Sequence, residues 1–177
     1  MMQTFLKIYF LVLAIFLCSN IYATNHYADK NTNGNNNGIT WTNAWESFAS
    51  ITWGSANLGD IVYISGGTDS TVYNERLNLL NVNGSTCHPI LIRNSWDAGH
   101  NGRAIINKSG TNCILLGNAN YSSYITLYGL EVRNGTKSIY IRNATRDITI
   151  DSCLVYELHT FGFQTEGNTG SGKNIKI

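Results

Sequence analysis

The sequence predicts an all-β fold, a parallel β-helix, on three observations. The first is a repeated phrase. Tyr124-Ile125-Thr126-Leu127-Tyr128-Gly129-Leu130-Glu131-Val132 is followed 23 residues on by Asp147-Ile148-Thr149-Ile150-Asp151-Ser152-Cys153-Leu154-Val155, and 27 residues later by Asn174-Ile175-Lys176-Ile177. A period of about 20–50 residues marks stacked repeat architectures. The second is alternation: Ile125, Leu127 and their equivalents fall on one face of a strand, Thr126, Thr149 and Lys176 on the other. The third is that no helical stretch of about 10–12 residues separates the strands, which removes a βαβ fold.

The elements follow in order. Residues 1–23 have the layout of a secretory signal peptide: Lys7 as the positive charge, an apolar run from Ile8 to Leu17, then small and polar residues with cleavage after Ala23. The run is shorter than the roughly 20 apolar residues of a membrane span, so no transmembrane segment is expected after cleavage. Cys18 follows Phe16-Leu17, too bulky for a lipid-attachment motif, and reads as an ordinary signal residue. The protein is expected to be secreted or at the cell surface.

Residues 24–58 form a distinct N-terminal segment: a strand at 26–28, an Asn-rich loop, then an amphipathic helix near 44–52. Asn43 is its expected N-cap, with Glu46 completing a box-like cap and Trp45, Phe48 and Ala49 on one face. That face is expected to cover the open end of the stack. From residue 59 onward come strands at 60–65, 88–93, 104–106 and 113–116, then the clear repeats with further strands at 138–141 and 161–164. Asn-Gly turns at 83–84, 101–102 and 134–135 suggest positive φ angles. The chain stops inside its third clear repeat, so the β-helix is expected to be incomplete over 59–177.

Composition narrows the partners. There are 23 asparagines, 17 glycines and one proline, 13% charged residues and a net charge of +1. Such a chain lacks the basic footprint of a nucleic-acid binder. Five Asn-X-Ser/Thr sites occur, at Asn83, Asn107, Asn120, Asn134 and Asn143. Of the cysteines surviving cleavage, Cys153 shares the register of Leu130 and should be buried; an oxidising compartment would permit a Cys87–Cys113 bridge. No Cys/His spacing suggests zinc. Asp29-x-Asn31-x-Asn33-Gly34 matches the first half of a calcium loop, but Thr40 stands where the bidentate Glu belongs. Asp29, Asn31 and Asn33 are therefore calcium candidates, with a plain surface loop as the competing reading, and no other cofactor is evident.

Asp29, the Asn/Gly run, Trp45-x-x-Phe48, Gly59-Asp60-x-Val62-Tyr63-Ile64, Gly66-Gly67-Thr68, Tyr73, His88-Pro89-Ile90-Leu91-Ile92-Arg93 and Tyr124-to-Leu130 follow one another in a recognisable order. Together they resemble the N-terminal portion of the secreted right-handed parallel β-helix proteins of the pectate-lyase-like superfamily. One departure is Leu58-Gly59-Asp60, where Pro-Gly-Asp often opens the first strand. The resemblance implies a right-handed winding, which the rule for parallel connections also favours. It implies polysaccharide or cell-surface glycan as partner, and a lyase- or hydrolase-like reaction on the outer face of a sheet. Fold does not fix function, so a non-catalytic adhesin or structural rod is the alternative.

A lyase needs a carboxylate cluster and a base, and a hydrolase needs two carboxyl groups about 5–9 Å apart. The outward or neighbouring charged residues of the repeat are the catalytic candidates: Asp151, Glu131, Arg133, Glu157 and His159. Tyr128, Tyr140, Tyr156 and Trp96 are candidates for stacking on sugar rings. Surface charge and strand propensity account for the same residues without chemistry.

Overall fold

The computed structural model describes residues 23–54, 58–118, 121–143, 145–166 and 174–177. The proposed signal run and Asn120 lie outside these residues. Among the described residues the chain is all-β. Its strands are β1 (Asn25–Ala28), β2 (Ile61–Ile64), β3 (Ser70–Tyr73), β4 (Leu77–Leu79), β5 (Ile90–Asn94), β6 (Arg103–Asn107) and β7 (Asn112–Leu116). Next come β8 (Ser123–Tyr128), β9 (Glu131–Arg133), β10 (Lys137–Ile141), β11 (Arg146–Asp151), β12 (Leu154–Tyr156), β13 (Phe161–Thr165) and β14 (Ile175–Lys176).

All pairings between these strands are parallel. They form three sheets, ordered β1-β2-β5-β8-β11-β14, β3-β6-β9-β12 and β4-β7-β10-β13. From β2 onward, successive strands enter the first, second and third sheet in rotation. That arrangement is consistent with a parallel β-helix.

The register follows the sequence repeat. Ile148 pairs with Ile125 and Ile175, Ile150 with Leu127, and Val155 with Val132. Their side chains point inward, where Val62, Ile92, Leu127, Ile106, Val132, Ile114 and Ile139 are all wholly buried. Ile177 falls beyond β14 and is exposed. β3 and β4 escape sequence reading because they are short and interrupted by polar residues.

The corners explain why a 23-residue period survives. Tyr124 and Asp147, Gly129 and Ser152, Asn134 and Glu157 all have positive φ, each pair one repeat apart. The chain thus turns the same way at equivalent places although only one of these six is glycine. The Asn-Gly dipeptides play another part. Of their six residues only Asn134 has positive φ. Gly84 and Gly102 are instead glycine for lack of room, since a Cβ would lie 2.5 Å from Tyr124 O in one case and 2.5 Å from Gly66 O in the other.

The expected helix over 44–52 is absent; a single 3-10 turn, Phe48–Ser50, stands there with Ser47 rather than Asn43 as its cap. The reason is backbone competition. Trp45 N–H donates to Tyr27 O at 2.9 Å, and Asp29 N–H donates to Trp45 O at 2.9 Å. Trp45 therefore makes a parallel bridge to β1 at Ala28, and its peptide groups cannot also serve a helix. The burial of Trp45 and Phe48 was read correctly; both belong to the core. Cys113 and Cys153 are free, so the Cys87–Cys113 bridge is not made. Cys113 instead lies buried with its thiol donating to Arg133 O at 3.1 Å.

Candidate functional site

Outward positions of the first sheet stack into rows, because like residues of successive parallel strands lie side by side. One row runs Tyr27–Tyr63–Arg93–Tyr128–Asp151. A second, two residues earlier on each strand and about 6.6 Å away, runs Asn25–Ile61–Leu91–Thr126–Thr149–Lys176. Tyr124 and Asp147 lie two residues earlier again.

The first row is an aromatic ledge built around one cation. The Arg93 guanidinium lies 3.4 Å from the ring centre of Trp96 and 4.8 Å from that of Tyr128, both within cation–π range. Trp96 is 64% exposed and covers the cation from outside. Arg93 Nε donates to Asn94 O at 3.1 Å, which fixes the side chain. Tyr63 stacks on Tyr27 at 5.8 Å, and Trp41 packs on Tyr27 at 4.6 Å. Burial raises the Tyr63 hydroxyl pKa, an effect the neighbouring Arg93 partly opposes. Asp151 ends the row beside Tyr128, exposed and accepting a hydrogen bond from Ser152.

Beside the ledge is a cavity of about 390 Å³ lined by Ser85, Thr86, Pro89, Tyr124, Thr126, Asp147, Thr149 and Lys176, among others. Its size falls in the usual range for small-ligand sites. Five of the lining residues bear hydroxyls, beside one carboxylate, one amide, one ammonium and the apolar Pro89 and Ile148. Tyr124 and Asp147, at φ 53° and 55°, hold a backbone conformation uncommon for non-glycine residues.

The candidates on the second sheet are occupied with one another. Glu131 Oε1 is 3.6 Å from Arg103, and its Oε2 accepts from the Tyr156 hydroxyl at 3.2 Å. Burial and that bond to Glu131 raise the Tyr156 pKa. Arg133 lies 3.9 Å from Glu157. His159 Nε2 is 3.2 Å from Asn134 Oδ1, at the end of an amide ladder in which Asn134 donates to Asn107 and Asn107 to Asn74. Of the five catalytic candidates, Glu131, Arg133, Glu157 and His159 share this side, while Asp151 stands on the other sheet. On the third sheet Tyr140 is buried. Lys137 and Arg142 face its ring and its hydroxyl donates to Glu166, so no face remains for a sugar.

In the calcium-like loop, Asp29 is buried and already committed: Oδ1 accepts from Asn31 N–H at 2.9 Å, and Oδ2 lies 3.1 Å from His100 Nδ1. Asn31 and Asn33 are exposed. No group of three His, Cys, Asp or Glu residues among the described residues is placed to hold a metal ion. Among the same residues no helix is long and apolar enough to cross a membrane.

Of the candidates drawn from the sequence, Tyr128, Trp96 and Asp151 lie on or against this row, together with Arg93, Tyr27 and Tyr63, which are not among those candidates, and the cavity lies beside them. Arg93 was legible in principle, being outward of Ile92 by strand alternation. The cavity was not, because it depends on where the 83–88 turn leans. No protein-family model, curated protein or solved structure matches this chain.

Proposed function

We propose that this is an extracellular right-handed parallel β-helix protein of the pectate-lyase-like kind, which binds polysaccharide on the outer face of its first sheet. The observation that carries the reading is the row Tyr27–Tyr63–Arg93–Tyr128–Asp151 with the exposed Trp96 stacked on its cation. Flat apolar rings suit sugar faces, and the buried Arg93 holds the rings of Trp96 and Tyr128 in place through cation–π contact. The mutual pairing of Glu131, Arg103, Tyr156, Arg133 and Glu157 favours binding over turnover within these residues.

The test is tryptophan fluorescence of the full chain titrated with oligogalacturonate and oligomannuronate. Saturable quenching is expected, with Trp96→Ala removing most of the signal change and Arg93→Ala weakening affinity about tenfold, ~1.4 kcal/mol. Absence of saturable binding by calorimetry with either oligosaccharide sinks the reading. Ultraviolet absorbance from unsaturated product in the same samples would make it a lyase instead.

A further inference from the structure

The cavity beside the aromatic ledge is closed on one side, and that side is built rather than incidental. The turn over residues 83–88 does not stay with its own strand, β5. It leans across the start of β8: Gly84 N–H donates to Ser123 O at 2.8 Å, and the Ser123 hydroxyl donates to Asn83 Oδ1 at 3.0 Å. A parallel bridge joins Asn83 to Ser123. On its other side the turn is tied down by Gly59 N–H donating to His88 O at 3.1 Å. Within the turn, Ser85 and His88 exchange backbone hydrogen bonds at 3.0 and 3.1 Å, and Ser85 Oγ accepts from His88 N–H as well. Gly84 is needed for this seat, since a Cβ there would meet Tyr124 O at 2.5 Å and His88 O at 2.9 Å.

The result is a wall of Ser85, Thr86 and Pro89 at the strand-start side of the sheet face. Among the described residues the opposite side runs without such a wall onto Tyr128, Arg93 and the exposed Trp96. Between them lie Thr126, Thr149 and Lys176. Lys176 is exposed and makes no ion pair among the described residues.

We propose that the 85–89 wall makes this site a terminus reader: it accepts the end of a glycan chain, whose last ring occupies the cavity while the next lies over Tyr128 and Trp96. This rests on the glycan-binding reading above. A polyhydroxylated ring matches the hydroxyl lining of Ser85, Thr86, Thr126 and Thr149, with Lys176 placed to hold it through a charge-assisted bond and Asp147, 3.6 Å from Arg146, beside it. The fixed wall stops the chain and excludes an interior segment, which would have to continue through Pro89.

Binding stoichiometry separates an end from an interior. Short and long oligogalacturonates are titrated into the full chain by calorimetry, with sedimentation velocity on the same mixtures. One protein per oligosaccharide at every length, with affinity that stops rising once both positions are filled, is the expected result. Protein bound in proportion to chain length overturns end recognition and leaves glycan binding standing. No binding at any length overturns both. Thr86→Trp fills the cavity from an exposed position and is expected to weaken short oligomers at least about tenfold. Unchanged affinity in a folded Thr86→Trp variant counts against the wall.

Discussion

The two ends of the stack treat similar strand chemistry in opposite ways. At the first strand, the loop over residues 36–45 satisfies the outer edge: Tyr27 N–H donates to Gly38 O, and Tyr27 O accepts from Trp45 N–H, both at 2.9 Å. Ala44, Trp45 and Phe48 are buried beneath it. At β13, Phe163 stands in register with the wholly buried Ile139 yet is 37% exposed. The comparison teaches that residue type does not decide burial here; the presence of a segment packed over the strand does.

The sharpest way to break this comparison is at Trp45. Its ring stacks on His26 at 5.4 Å, which in turn lies 3.0 Å from the buried Asp60. Trp45→Ala should cost about 3–5 kcal/mol by urea unfolding, the largest effect expected at either end. A cost below that of an exposed-residue change would mean the loop is not part of the cooperative unit. Gly38→Ala attacks the same seat from the other side. Gly38 has φ +74°, and a Cβ would lie 2.5 Å from the Trp45 ring. Backbone strain and overpacking together predict a loss of about 1–3 kcal/mol.

How far was this legible in the sequence? The inward ladders of Ile125, Ile148 and Ile175 were, because alternation and period specify register when one face is buried. The closed end was legible in its residues and not in its conformation. Trp45 and Phe48 carry a helical spacing, but the backbone of Trp45 pairs with β1. Spacing says which side chains are apolar, not where their peptide groups find partners. The binding face divides the same way: Tyr128 and Trp96 stand out by type, whereas the wall depends on a tertiary contact between Gly84 and Tyr124.

A smaller effect sharpens the closed end through pH. Tyr73 packs on Phe48 at 4.6 Å, and its buried hydroxyl donates to Ser65 O at 2.8 Å. Burial, reinforced by nearby Asp29, raises its pKa well above the ordinary tyrosine value. The folded state therefore keeps a proton that the unfolded chain loses above about pH 10. Stability from this group is complete below that pH and falls above it, by up to about 1.4 kcal/mol per pH unit. Tyr73→Phe should cost about 1 kcal/mol at neutral pH and flatten the alkaline loss. An unchanged alkaline slope in the variant would assign that loss to other groups, such as Tyr63 or Tyr156.

The smallest effect belongs to the exposed end. Leu154 pairs with Glu131 on an outward row and is half exposed, while Leu127 sits wholly buried in the first sheet. Leu127→Ala should cost about 2–5 kcal/mol, and Leu154→Ala no more than ~0.5 kcal/mol. The chemical change is identical, so the difference measures what facing the core rather than the outside is worth. Should Leu154→Ala approach the cost of Leu127→Ala, something covers Leu154 in solution. Sedimentation equilibrium would then decide what: a stability that rises with protein concentration identifies a second copy of the chain as the cover.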